Sequence, residues 1–231
     1  MKIRISFIIL GILIVFSNLT IAQVSHTEQI TGKPVLNKQT GAKISEERLH
    51  ELMVSDPNFI LEQIINKYGE VESFLYDPTR KGKSLTRDTS LRTKAGELLP
   101  PFVVRSVTGK KIDSETCHGR PILVLFQLFF KAPFFNETQF HQFKLMADTL
   151  KGKGDLEIIV ITDSTNDEIK SAIDVKNSNF QVVPEGRNFS VRYLVTKFPS
   201  YLLIDKEGKL VYYYEENNIT KLQHDIVSNL F

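Results

Sequence analysis

Residues 122–137 read ILVLFQLFFKAPFFNE, and the fold is most readily inferred from this segment. An apolar run extends to Phe130, a short turn occupies residues 131–134, and a helical pattern begins directly after the turn. A strand that is apolar on both faces is typical of the centre of a sheet that helices cover on both sides. Strand–turn–helix units of this kind carry the chemistry of many proteins, yet this turn contains no Cys, His, Ser or Asp.

Strands and helices alternate around this segment, from residue 98 to residue 231. Apolar runs predict strands at 102–106, 122–130, 156–162, 180–183, 201–204 and 209–214. Apolar stripes at helical spacing predict helices at about 140–150, 166–173, 188–193 and 219–230. This order of elements predicts an α/β fold, with a central mixed β-sheet flanked by helices.

The region before residue 98 is more polar, and we interpret it as an α+β extension. The apolar spacing of Ile60, Ile64 and Ile65 favours a helix there. The predicted parts are, in order, a polar lead-in or hairpin at 23–43, a helix capped by Ser45, a second helix from Asp56-Pro57 to Gly69, a strand at 71–76 and an exposed linker at 79–97.

The first 22 residues have the pattern of a secretory signal peptide. Lys2 and Arg4 precede an apolar run at 5–16, and the small residues Thr20 and Ala22, at the −3 and −1 positions, offer a cleavage site before Gln23. The run is shorter than the roughly 20 residues that cross a bilayer, so we expect cleavage rather than a membrane anchor. The sequence therefore predicts export to the periplasm or cell envelope of a Gram-negative bacterium, or to the outside of the cell.

Charge and composition exclude some classes of partner. The chain has 29 basic and 27 acidic residues, and removal of two cations with the signal would leave 27 of each. A neutral protein has no electrostatic reason to bind nucleic acid or a membrane surface. Neither a cofactor nor a metal is predicted.

Cys117 is the only cysteine of the sequence. One cysteine can form neither an internal disulfide nor a Cys-x-x-Cys pair. The neighbouring His118 could activate its thiolate, but adjacent loop residues seldom point toward one another. We therefore treat Cys117 as an incidental thiol, with a reactive or intermolecular thiol as the alternative.

Residues 98–231 resemble the thioredoxin-like superfamily, in the redoxin branch that includes AhpC/TSA proteins and periplasmic thiol–disulfide oxidoreductases. The resemblance is carried by LPPFVVRSVTGKKI at 99–112, GRPILVLFQLFF at 119–130 and KFPSYLLIDKEGKLV at 197–211. It implies a thioredoxin-like three-layer sandwich with a redox site in the turn after the central strand. Residues 23–97 resemble, more weakly, the extension found on some secreted bacterial members.

The redox motif itself is missing. The two cysteines of the family's Cys-x-x-Cys motif fall at Lys131 and Phe134, and neither side chain can form or resolve a mixed disulfide. A lysine at a helix N-terminus also opposes the helix dipole, so we expect its charge to point into solvent. The peroxiredoxin motif Pro-x-x-x-Thr-x-x-Cys, aligned at Pro133, places Glu137 and Phe140 at its Thr and Cys. The turn is thus predicted to be a degenerate active site.

Phe198-Pro199-Ser200 matches the proline loop of the family, in which the proline is cis. The resemblance implies that this loop faces the degenerate turn and pairs with an extended substrate peptide. A purely structural role for Pro199 is the alternative. The predicted binding residues are Lys131, Pro133, Phe134, Phe198, Pro199 and Ser200.

Other side chains near the turn admit simpler interpretations. Of Phe129, Phe130, Phe134 and Phe135 we expect most in the core, unless one or two form an apolar binding patch. His141 lies one helical turn from Glu137, which favours a solvated pair over a metal site. Catalysis by the amine of Lys131 would require its burial.

Three functions follow as hypotheses. The first is an exported thioredoxin-fold binding or accessory module without redox activity, which we favour. The second is a thiol–disulfide oxidoreductase that acts through Cys117. The third is a structural or envelope-associated protein whose partner binds residues 23–97.

Overall fold

A five-stranded mixed sheet forms the centre of the molecule, as the sequence predicts. The computed structural model describes residues 32–56, 59–80, 87–117, 119–215 and 218–230, so the predicted signal peptide, Pro57 and His118 lie outside the described residues. The strands of the sheet are β6 (Ile122–Gln127), β7 (Glu157–Thr162), β8 (Gln181–Val183), β9 (Ser200–Ile204) and β10 (Leu210–Tyr214). Their order is β10-β9-β6-β7-β8, with β6, β7 and β8 parallel and β9 antiparallel to both of its neighbours.

Side chains of the central strand β6 alternate between two hydrophobic cores. Leu123 and Leu125 belong to one core, while Ile122, Val124 and Phe126 belong to the other. All five are buried, which explains why this strand is apolar at every one of these positions.

Helices and a small hairpin cover the two faces. The helices are α2 (Glu137–Lys151), α3 (Asn166–Ala172), α4 (Arg187–Arg192) and α5 (Ile219–Leu230), and the hairpin strands are β4 (Val103–Arg105) and β5 (Lys111–Asp113). Phe143, Ile169 and Ile226 bring α2, α3 and α5 to one core, and Phe189 brings α4 to the other beside Ile112 of the hairpin. The predicted α/β architecture, a central mixed sheet flanked by helices, is confirmed.

The N-terminal part contains a second, three-stranded sheet. Its elements are β1 (Val35–Asn37), α1 (Glu46–Ser55), β2 (Glu62–Ile65) and β3 (Val71–Tyr76), with strand order β1-β3-β2. Ser45 caps α1 as predicted, accepting a hydrogen bond from the Arg48 N–H. The chain turns back after β1, where the Gly41 N–H donates to the Asn37 carbonyl at 2.8 Å.

The predicted second helix is wrong, because Ile64 and Ile65 lie in strand β2 and Ile60 lies just before it. β2 pairs antiparallel with β3, which places Ile65 in the interior and leaves Ile64 37% exposed. Alternating burial of this kind follows the two-residue period of a strand. Pairing with β3 decides the structure here, and a pattern of three isoleucines in a short segment cannot reveal that pairing.

The N-terminal sheet belongs to the same compact unit as the central sheet, since residues 32–231 cluster together. The Val103 N–H donates to the Lys67 carbonyl at 2.7 Å, and the Arg192 guanidinium donates to the Ile65 carbonyl. Gly69, at φ +78°, lies so close to Phe189 that an added Cβ would stand 2.6 Å from the ring. No described helix is both long enough and apolar enough to cross a membrane.

Candidate functional site

The degenerate turn and the proline loop lie at the same end of the sheet. β6 and β9 pair antiparallel with Phe126 opposite Ser200, so the end of β6 lies beside the start of β9. The turn at residues 131–134 follows β6, and Pro199 immediately precedes β9. The Ala132–Pro133 and Phe198–Pro199 peptide bonds are both cis.

The turn is closed by its own backbone. The N–H groups of Phe134 and Phe135 donate to the Lys131 carbonyl at 3.0 and 3.1 Å. The Gln127 side-chain amide, at the end of β6, donates to the carbonyls of Phe129 and Phe134 at 3.2 Å each. The turn therefore holds the geometry of a strand-to-helix connection without any thiol, and α2 begins after Asn136, whose side chain accepts from the Gln139 N–H.

Lys131 is exposed, as expected, and its ammonium also forms an ion pair. Its Nζ lies 2.6 Å from Oε1 of Glu168 and 5.2 Å from the centre of the Phe129 ring. Glu168 also accepts the Thr165 N–H in the capping box of α3. The hydrogen bond from Lys131, followed by that from Thr165, lowers the pKa of Glu168. The ion pair offsets the unfavourable placement of a cation near a helix N-terminus.

The ammonium of Lys131 has the surroundings of a surface ion pair. Its side chain is 54% exposed, whereas an amine catalyst such as a Schiff-base lysine requires burial to lose its proton near neutral pH. The geometry therefore favours a binding or structural role for this residue.

One aromatic side chain of the turn reaches the surface. Phe134 is 39% exposed, and its ring centre lies 5.5 Å from that of the buried Phe129. Phe130 is buried and packs 5.0 Å from Phe135. Phe198 is half-buried against the core beneath the proline loop. The exposed apolar group at this end of the sheet is thus small and centred on Phe134.

Ser200 differs from the other predicted binding residues. It is fully buried, and its hydroxyl donates to the Lys197 carbonyl at 2.7 Å. This bond ties the start of β9 to the residue before Phe198. The side chain of Ser200 therefore shapes the loop from inside and presents no group to a ligand.

An arginine of the polar linker anchors the loop that leads to Pro199. Arg92 donates to the Leu194 carbonyl through Nε at 3.1 Å and through Nη2 at 2.8 Å. The same Nη2 lies 3.0 Å from Thr196 Oγ1 and 2.7 Å from Glu215 Oε1. The guanidinium also stacks 4.0 Å from the centre of the Tyr213 ring. Leu194 itself has φ +54°, a region that non-glycine residues seldom occupy.

A second arginine contacts the same loop. Arg87 donates to the carbonyl of Ser190 at 3.2 Å and to that of Val195. Sequence reasoning missed both arginines, because a basic residue within a polar, exposed stretch gives no sign of a partner 100 or more positions away.

Cys117 lies at the opposite end of β6 from the turn. It precedes this six-residue strand while residue 131 follows it, and such a strand is about 20 Å long. Cys117 is buried, with 6% of its surface exposed, and this burial raises the pKa of its thiol.

His141 and Glu137 are both exposed on α2, and the described ranges hold no group of three or more potential metal ligands.

Some solved structures resemble this chain over 58–60% of its length. Neither a protein-family model nor a curated protein matches this chain. Solved structures that resemble it include yeast Sco1, 18% identical with a TM-score of 0.48 over 59% of this chain and 96% of that one. Another is the thioredoxin domain of a thiol-disulfide oxidoreductase from Bacteroides vulgatus, 18% identical with a TM-score of 0.46 over 58% of this chain and 98% of that one.

A third is BsSco, a member of the Sco family of cytochrome c oxidase assembly proteins. It is 17% identical with a TM-score of 0.46 over 60% of this chain and 96% of that one. Likeness at this level carries no activity from these proteins to this chain. The fold assignment rests on the order and direction of the chain's own strands.

Proposed function

We propose that this chain is an exported, thioredoxin-fold binding module whose redox site is degenerate. The observation that carries the proposal is the structure of the turn. Lys131 is engaged by Glu168, and Phe134 packs on Phe129, where redox chemistry would require two thiols. The architecture of a redox site is kept while its reactive groups are replaced by an ion pair and an aromatic contact.

Thiol–disulfide exchange through Cys117 is the less supported alternative. Exchange requires an accessible thiolate, and the burial that raises the pKa of Cys117 disfavours both the access and the charge. The thiol is also about the length of β6 away from the turn and the proline loop.

The ligand that we propose is an extended peptide segment of a partner protein, bound at the proline loop. An extended peptide can pair with backbone groups beside Pro199, as in strand addition. Phe134 then offers an apolar contact for one side chain of the peptide, and the Lys131–Glu168 pair offers charges of both signs nearby. The expected cellular location is the periplasm or envelope.

The redox part of the proposal is tested by insulin reduction with dithiothreitol as electron donor. We expect the protein and its Cys117→Ser variant to show the same background rate. Turnover above background that disappears in Cys117→Ser would replace the binding proposal with the oxidoreductase.

The binding part is tested with a pool of fluorescein-labelled peptides of alternating apolar and polar residues, followed by anisotropy. We expect Phe134→Ser to weaken binding of the selected peptides several-fold. Leu145→Ser is the matched control, because Leu145 is a 54% exposed apolar residue on α2. Equal losses in the two variants, or no binding to the unmodified protein, would contradict a peptide site at the turn.

A further inference from the structure

A cavity of about 330 Å³ lies at the end of the sheet opposite the degenerate turn. The start of β6 and the end of β9 reach it, and its apolar walls include Leu99, Pro100, Phe102, Cys117, Ile122 and Ile204. Pockets for small ligands span about 300–1,000 Å³ and are mostly apolar with a few polar groups. The cavity thus has the size and lining of a site for a small ligand.

Backbone hydrogen bonds hold the walls of the cavity in place. The Leu99 N–H donates to the Gly208 carbonyl at 3.0 Å, which joins the segment before β4 to the β9–β10 turn. The Gly119 N–H donates to the Lys206 carbonyl at 3.0 Å and joins the loop before β6 to the same turn. A cavity with fixed walls needs little ordering when a ligand binds.

Three carboxylates line the cavity; Glu207 lies 4.0 Å from the ammonium of Lys206, and the other two are compensated at shorter distances. Glu115 lies 2.7 Å from the ammonium of Lys67. Asp205 accepts the N–H groups of Glu207 and Lys209 at 2.9 and 2.8 Å. Because these carboxylates already have partners, they do not require a cationic ligand.

Arg120, in contrast, lines the cavity, and its guanidinium is held loosely. Its ion-pair distances to Asp155 and Glu157 are 3.8 Å each, longer than a hydrogen bond. Glu157 already accepts two shorter bonds, of 2.8 and 3.0 Å, from Lys110. The planar fork of an arginine suits a carboxylate or a phosphate, and the apolar walls of the cavity favour the carboxylate, which carries less charge.

We propose that this cavity binds a small organic acid. Its carboxylate would pair with Arg120, and its aliphatic or aromatic body would contact the apolar walls near Phe102 and Ile122. The site lies at the other end of the sheet from the peptide surface, so it does not depend on the proposed function.

The test compares three eight-carbon probes by titration calorimetry with the full chain: octanoate, octanol and octylamine. We expect octanoate to bind most tightly, and Arg120→Gln to weaken octanoate by about tenfold while leaving octanol unchanged, because one charge-assisted interaction is lost. Arg105→Gln is the control variant, since Arg105 is exposed on β4, away from the cavity lining, and its guanidinium donates to the nearby Gly109 carbonyl at 3.0 Å.

Cys117 provides a second readout, because its side chain lies in the cavity wall. Octanoate is expected to slow the reaction of Cys117 with N-ethylmaleimide several-fold in the unmodified protein, and much less in Arg120→Gln. The proposal is overturned if the three probes bind alike, if Arg120→Gln and Arg105→Gln affect octanoate equally, or if octanoate binds without protecting Cys117.

Discussion

Replacing Arg92 by glutamine should destabilise the protein and loosen the proline loop in particular. The side chain of Arg92 is 15% exposed, and its guanidinium contacts the Leu194 carbonyl, Glu215 and the Tyr213 ring. A hydrogen bond to a charged group contributes about 1.5–3 kcal/mol, and a partly buried cation–π contact about 1 kcal/mol. Water can replace part of this when the side chain is shortened, so we expect a loss of about 3 kcal/mol in the free energy of unfolding.

Urea denaturation measures that loss, and hydrogen exchange locates it. For a chain of this size, about 3 kcal/mol corresponds to a fall in Tm of roughly 6–12 °C. Amide protection should fall most in residues 194–200, where the anchored loop leads into β9. Arg48→Gln is the control, because the Arg48–Glu51 pair is 63% exposed on both sides and should contribute less than about 1 kcal/mol. A loss below about 1 kcal/mol in Arg92→Gln, with unchanged protection of residues 194–200, would refute an anchoring role.

Two further predictions concern the acid limb of stability and the join between the two sheets. The hydrogen bond from Arg92 is the largest of the causes that lower the pKa of Glu215 below its usual value of 4.5. The ion pair therefore contributes fully to the free energy of unfolding above pH 4.5, and that contribution is lost as the pH falls through the lowered pKa. Denaturation at about pH 7 and about pH 3 should therefore show a smaller acid-induced loss in Arg92→Gln than in the unmodified protein, and equal losses would contradict the pairing. Gly69→Ala should cost about 2–4 kcal/mol, because alanine is strained at φ +78° and its Cβ would collide with Phe189. Gly96→Ala, at φ +87° with open space around it, carries the strain alone and should cost about 1–2 kcal/mol; equal costs would show that the collision is relieved.

The spacing of apolar residues predicted the strands and helices of the central domain, but it predicted the wrong element in part of the N-terminal extension. β6 and β7 were predictable because each lies in a long, mostly apolar run, and buried parallel strands require that composition. β2 was predicted as a helix because its four residues are too few to separate a helical from a strand period. Its pairing with β3 and the contact between Arg192 and Ile65 decide its conformation.

The sequence by itself determined the α/β architecture, the position of the turn at residues 131–134 and the presence of a single cysteine, because each depends on residue type and on neighbours along the chain. Only the tertiary structure decided how the remaining groups are used. Lys131 meets Glu168 across 37 positions, and Arg92 meets Glu215 across 123. The burial of Cys117 and the cavity beside Arg120 likewise arise where separate segments pack together. Such contacts depend on folded geometry, which the periodicity of any one segment does not contain.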